Sequence, residues 1–134
     1  MSDFSRIPII QCTYQLSLDL HRLVPRLPRP VRYLTGKEIL DIAGSLLDSL
    51  VDANQKSADG GRLLQLENAS SKLTSLRLRL RMLKDLHHIS IGQTAHLNVQ
   101  VEDISRQLAA WRKWVANGAT QDAVATPDSF VETH

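Results

Sequence analysis

The sequence predicts an all-α protein, an antiparallel up-down-up-down four-helix bundle, and three observations carry that expectation. Of its 134 residues 43% are hydrophobic but only 4% aromatic, and leucine dominates the apolar set, a composition that favours helices over sheets. Apolar residues recur at spacings of three and four along four separate stretches. Proline, glycine and capping patterns divide those stretches with short connections, as sequential antiparallel packing requires.

The first stretch places Leu16, Leu20, Leu23 and Leu27 on one face. It predicts a helix from about Thr13 to Val24, with the last turn bent or lost at Pro25, which lacks a backbone donor and disfavours helical geometry in the residue before it. Thr35-Gly-Lys-Glu38 forms a capping-box pattern that would start a second helix, with Leu34 and Ile39 as the flanking apolar pair; Pro30 is a rival start. Ile39, Ala43, Leu46, Leu50 and Ala53 form its core face, and the run 57–61 ends it. The third helix, from about Arg62 to His87, carries Leu66, Ala69, Leu73, Leu76, Leu80, Leu83 and His87 at a and d positions. The alternation Leu76-Arg-Leu-Arg-Leu-Arg81 imitates a strand, but the longer period is helical, and His87 is expected to close the core at the helix end. Ser90-Ile-Gly-Gln93 is a second capping box, ahead of Leu97, Val101, Ile104, Leu108, Trp111 and Val115 on the fourth helix. The residues after Trp114 are small, polar and aperiodic. The chain therefore divides into an N-terminal extension 1–12, a bundle 13–115 and a disordered C-terminal tail 116–134.

Several function classes find no support. Cys12 is the single cysteine, so neither an internal disulfide nor a cysteine-based zinc site can form within one chain. His87-His88 is the one adjacent pair among five histidines, and no helical spacing of His and Glu places metal ligands on one face. Glu102 and Asp103 point about 100° apart and are expected to face solvent, poorly placed for acid-base work. The glycines form no phosphate-cradling loop. The reading is a non-catalytic protein with no metal and no cofactor. No stretch approaches the roughly 18 apolar residues of a membrane span and no leader pattern opens the chain, which predicts a cytoplasmic protein without a membrane partner.

Charge points to an anionic partner. All 16 basic residues precede residue 115 while Asp122, Asp128 and Glu132 follow it, so the helical part holds a positive surplus. Arg77, Arg81 and Lys84 fall within about 60° of one another on the third helix, away from its leucine face. Arg22, Arg26, Arg29, Arg32 and Lys37 cluster around the first break, with no acid between Asp19 and Glu38. A solvated face paired with the acids of helix two would produce the same pattern. Helix three also bears a second apolar strip, Leu78, Met82 and Leu86, which fits either a wide core face or burial against another subunit. Trp111 and Trp114 read as core and interface anchors.

Taken in order, Leu27-Pro28-Arg29, Arg32-Tyr33-Leu34 with Gly36 and Ile39, Leu76-Arg77 to Leu80-Arg81 with Asp85-Leu86, and Ile104-Ser-Arg106 with Leu108 and Trp111 give the sequence a family likeness. It resembles the accessory variability determinant proteins of diversity-generating retroelements, within the four-helix-bundle group that includes the ribosomal-RNA intervening-sequence proteins. The resemblance covers about Tyr14 to Trp114. Alanines replace the family's frequent glycines before Trp111, and Thr35 stands beside the expected glycine. The resemblance implies a homopentameric barrel of four-helix protomers, basic outside, that binds the element's reverse transcriptase and its template RNA, with DNA as a further ligand. On that expectation Arg22, Arg26, Arg29, Arg32, Arg77, Arg81 and Lys84 contact nucleic acid or the enzyme, and Leu78, Met82, Leu86 and Trp114 form the subunit interface. The alternative within the wider group is a structural oligomer or protein adaptor of the intervening-sequence type.

Overall fold

The computed structural model of the chain describes residues 7–56 and 60–118. Four long helices account for most of it: α1 (Pro8–Leu23), α2 (Lys37–Gln55), α3 (Arg62–Asp85) and α4 (Ile91–Ala116). Each packs on its neighbours in sequence, and α1 closes the ring against α4. Side-chain bonds give the directions. Cys12, early in α1, meets Asp103 and Gln107 late in α4, whereas Asp19 meets His96 and Gln100 near the start of α4. Arg79, late in α3, reaches Glu38 at the start of α2, and Arg112, late in α4, reaches Ser70 early in α3. Neighbouring helices are thus antiparallel, as the short connections require.

The core is the leucine register read from the sequence. Leu16, Leu20, Leu23 and Leu27, the five apolar positions of α2, the six apolar a and d positions of α3 and the six of α4 are all buried. The helix begins, however, at Pro8 and not near Thr13. Pro8 occupies a first-turn position, where a missing N–H costs nothing, and Ile9 and Ile10 bury against the core, so the stretch expected to be an extension is helical from Pro8 onward. Residues 1–6 and residues 119–134, most of the expected tail, lie outside the described residues.

At Pro25 the first helix gives way to a 3-10 turn, Val24–Arg26, as its proline dictates. The second helix starts at the rival proline. Arg29–Val31 forms its first turn, Arg32–Gly36 a wider π-helical turn, and Lys37–Gln55 continues without a break in right-handed helical angles. The Thr35–Glu38 capping box is therefore not made: Thr35 sits within a helix already under way, where its amide neighbours are no longer free. Gly36 is needed there for closeness. A Cβ on it would stand 2.8 Å from Cγ1 of Val24, in the turn that doubles back over it.

Arg62 closes the far end of α2, donating from Nε to the Ala53 carbonyl at 3.0 Å and from its terminal nitrogen to the Lys56 carbonyl at 2.6 Å, a cation placed at the negative end of the helix beside the longer 3.3 Å bond from the Lys56 N–H to Ala53. The end of α3 corrects a second expectation. His87 does not close the core: it is exposed, with φ of 62°. It occupies the left-handed position of a Schellman turn, its N–H on the Lys84 carbonyl and the His88 N–H on the Leu83 carbonyl. Ile89 takes the buried place beyond it.

The second capping box is formed as expected. Ser90 accepts from the Gln93 N–H at 3.0 Å, and the Gln93 side chain accepts from the Ser90 N–H at 2.8 Å. Ser90→Ala should cost about 1 kcal/mol, seen as a fall in Tm of roughly 3–6 °C by circular dichroism.

Candidate nucleic-acid interface

The fold brings the two basic clusters of the sequence to one end of the bundle. That end is built from the last turns of α1 and α3, the Arg29–Gly36 lead-in to α2 and the first turns of α4. Arg22, Arg26, Arg29, Arg32, Lys37, Arg77, Arg79, Arg81 and Lys84 share it with the carboxylates Asp19, Glu38, Asp41 and Asp85.

Two clefts flank the start of α4. Between α3 and α4, a cleft of about 350 Å³ is lined by Arg77, Arg81 and Lys84 on one wall and by Thr94 and Asn98 on the other, with Leu80, Ile89 and Leu97 at its base. Between α1 and α4, a cleft of about 210 Å³ is lined by Asp19, Arg22, Arg26, Gln93 and His96, again with Leu97. Leu97 belongs to both, so the clusters that are about fifty residues apart in the chain lie on either side of a single helical turn.

The charges are held loosely. Arg77 pairs with Glu102 of α4 at 2.9 Å, Arg81 with Asp85 of its own helix at 3.5 Å, and Arg22 with Asp19 at 3.1 Å. The acids of α2 do not neutralise the α3 stripe; Glu38 pairs instead with Arg79, at 3.6 Å. No ion pair forms on Arg26, Arg29 or Lys84 among the described residues. Exposed pairs of this kind contribute about 0–1 kcal/mol each and are screened by salt, so an arriving phosphate can displace them at little cost. Asp19 differs because it is mostly buried. Burial works against its carboxylate, but hydrogen bonds from His96, Gln100 and Gln15 and the charge of His96 outweigh that and hold its pKa below the ordinary value.

Arg32 departs from the rest of its cluster. It is half-buried with Nε enclosed, and its guanidinium lies 5.7 Å from the centre of the exposed Tyr33 ring on the π-helical turn. The structure also adds residues that the sequence did not connect with the basic clusters. His96, Gln93, Thr94 and Asn98 become lining residues only because α4 starts between the two clusters. The i, i+3 spacing of Gln93 and His96 and the i, i+4 spacing of Thr94 and Asn98 could have marked the two faces, but nothing marked them as the ones beside the arginines.

The second apolar strip is settled in one respect: it is not a wide core face. Leu78, Met82 and Leu86 are 57%, 50% and 60% exposed. Trp111 is fully buried, and Trp114 is half-buried against the core edge. The expectation that Glu102 and Asp103 both face solvent holds for Glu102 alone, since Asp103 is half-buried, bonded to Arg106 at 2.7 Å and accepting from the Cys12 thiol at 3.4 Å. Burial, and then that bond, push the Cys12 pKa up. Among the described residues no group of His, Cys, Asp and Glu is placed to hold a metal ion, and no helix is long and apolar enough to cross a membrane.

The model of the bAvd-like family matches this chain over residues 8–115. The chain belongs to the bAvd-like family. No curated protein and no solved structure matches it. Membership agrees with an accessory variability determinant protein, the group whose likeness the sequence carries, and the matched span is the helical bundle itself, from Pro8 at the start of α1 to Val115 at the end of α4. All the arginines, lysines and apolar strip residues described above lie within the bAvd-like region.

Proposed function

We propose that this bAvd-like protein is a non-catalytic accessory factor of a diversity-generating retroelement, acting in the cytoplasm to support mutagenic complementary-DNA synthesis. It binds the element's reverse transcriptase and template RNA. Arg22, Arg26, Arg29, Arg32, Arg77, Arg81 and Lys84 supply the basic contacts. The protomers assemble as a homopentameric barrel through Leu78, Met82, Leu86 and Trp114.

The observation that carries this reading is the meeting of both basic clusters around the first turns of α4, with three cations on one cleft wall and two more across Leu97. A surface that was only solvated would gain nothing from gathering like charges, whose mutual repulsion opposes folding, whereas a polyanion rewards the arrangement.

Arg77→Ala with Arg81→Ala tests it. Both side chains are exposed, so the helical spectrum should stay unchanged. RNA affinity should fall, and the salt dependence in a log-log plot should flatten by roughly 0.7–0.9 for each lost phosphate contact. Polarisation titrations of parent and double variant at two salt concentrations measure both. Equal binding by the two proteins would remove the α3 stripe from the interface, and a parent with no salt-dependent RNA affinity would favour the adaptor reading.

A further inference from the structure

The α3–α4 cleft does not end at Arg77. Arg77 also lines a second depression of about 130 Å³ along the same helix pair, shared with Ser70, Thr74, Ser105 and Arg112. Arg112 in turn lines a third, of about 280 Å³, with Lys113 and Glu67. The three lie in line along α3 and α4, separated by two side chains that cross between the helices, Arg77 on Glu102 at 2.9 Å and Arg112 on Ser70 at 3.5 Å. With those weak contacts displaced they form one groove, whose cations fall in the order Lys84, Arg81, Arg77, Arg112, Lys113. Between Arg77 and Arg112 stand the hydroxyls of Ser70, Thr74 and Ser105, with Thr74 donating to the Ser70 carbonyl at 3.1 Å. The carboxylates within reach are Glu67 at the far end, Glu102, engaged with exposed Arg77, and Asp85, engaged with exposed Arg81.

From this we infer that the α3–α4 groove is a track for the sugar-phosphate backbone of a single nucleic-acid strand, with Arg112 and Lys113 holding the end remote from the basic cluster. The inference rests on the RNA-binding reading and extends it to residues and a strand type that the reading does not specify. From Leu63 to Lys84 the groove spans roughly 30 Å at 1.5 Å per residue, a length suited to a site of about 4–16 nucleotides. A furrow between two packed helices, whose axes lie about 8–10 Å apart, admits one extended chain and excludes the body of a duplex. No aromatic side chain lines it, so phosphates and not bases are held, and sequence should matter little. An acidic polypeptide would also meet the cations, but five cations along one line match a backbone that carries a charge at every repeat better.

Fluorescence polarisation with labelled oligouridylates of about 4 and about 16 nucleotides, at about 50 and 200 mM salt, tests the track. For Arg112→Gln with Lys113→Ala, binding of the longer strand should weaken roughly tenfold at the lower salt and its salt slope should flatten by about 1.4, while the short strand, which fits within the first cleft, is unaffected. Lys113→Glu alone, at an exposed position, should act in the same direction and guards against misfolding of a variant at half-buried Arg112. Lys72→Ala, some 140° from Arg77 around α3, should leave binding unchanged. Parent-like binding of the long strand by both groove variants would overturn the track while leaving the RNA reading intact, as would an equal loss with Lys72→Ala. Failure of the parent to bind either strand, with polyglutamate bound instead, would overturn both.

Discussion

Met82→Glu, alone or combined with Leu78→Glu, is expected to convert the proposed ring into monomers of 15.0 kDa while leaving the helical spectrum intact. The argument begins on α3, whose core face is fully occupied by leucines and Ala69, and whose opposite face carries Leu78, Met82 and Leu86 at least half exposed. Leu64 extends the same line toward the start of the helix, at 59% exposure. An apolar strip of this length on a free surface is unfavourable, at roughly 25 cal/mol for each square ångström left in water, and association removes that cost. A carboxylate placed in the middle of such an interface would have to be desolvated without a partner, which costs several kcal/mol at each repeat of a closed ring. Within one protomer the same carboxylate stands in water. Size exclusion with light scattering should show the change, and circular dichroism should show none. A parent protein that already runs at the monomer mass would end the ring proposal, and a variant that loses its helices would mean that the strip supports the protomer itself.

Trp111→Ala should produce the largest loss of stability of any single change in the bundle, about 3–5 kcal/mol against a total of about 5–15 for a domain of ordinary stability. Trp111 is fully buried on the core face of α4, between Leu108 and Val115, and among the described residues its indole N–H has no acceptor. Two contributions with opposite signs are therefore separable. Removing the whole ring opens a cavity that the surrounding helices cannot fill, but the unpaired indole donor itself costs about 1–3 kcal/mol. Trp111→Phe keeps most of the packing and abolishes the donor, so its loss should be less than half that of Trp111→Ala. Urea unfolding of the three proteins gives the comparison. A phenylalanine variant as damaged as the alanine variant would show that the indole N–H has an acceptor that holds it in place.

Much of the fold was legible in the sequence because helix burial obeys a local rule. The apolar positions of α2, α3 and α4 recur at fixed spacing, so the buried set could be named without knowing what each helix touches. Ser90 and Gln93 are likewise three residues apart, and their reciprocal bonds depend on little else. Thr35 and Glu38 carry the same signal and make no cap, because Pro30 had already started the helix and the approach of Val24 to Gly36 keeps the intervening turn helical. His87 failed for a similar reason: heptad position places it with the leucines, but the chain must reverse there, and it accepts the left-handed geometry of the turn.

The sequence by itself determined the four helices, their buried faces and the basic character of the helical part, which depend on composition and on spacings within a few residues, and the family likeness, which depends on the order of short motifs along the chain. Only the tertiary structure decided that the cluster around Arg22 and Arg26 and the cluster around Arg77, Arg81 and Lys84 flank the same turn of α4, and that Arg112 and Lys113 continue the line. The physical reason is that helical periodicity fixes which way a side chain points on its own helix, whereas the meeting of charges on different helices depends on the order and antiparallel direction in which the helices pack.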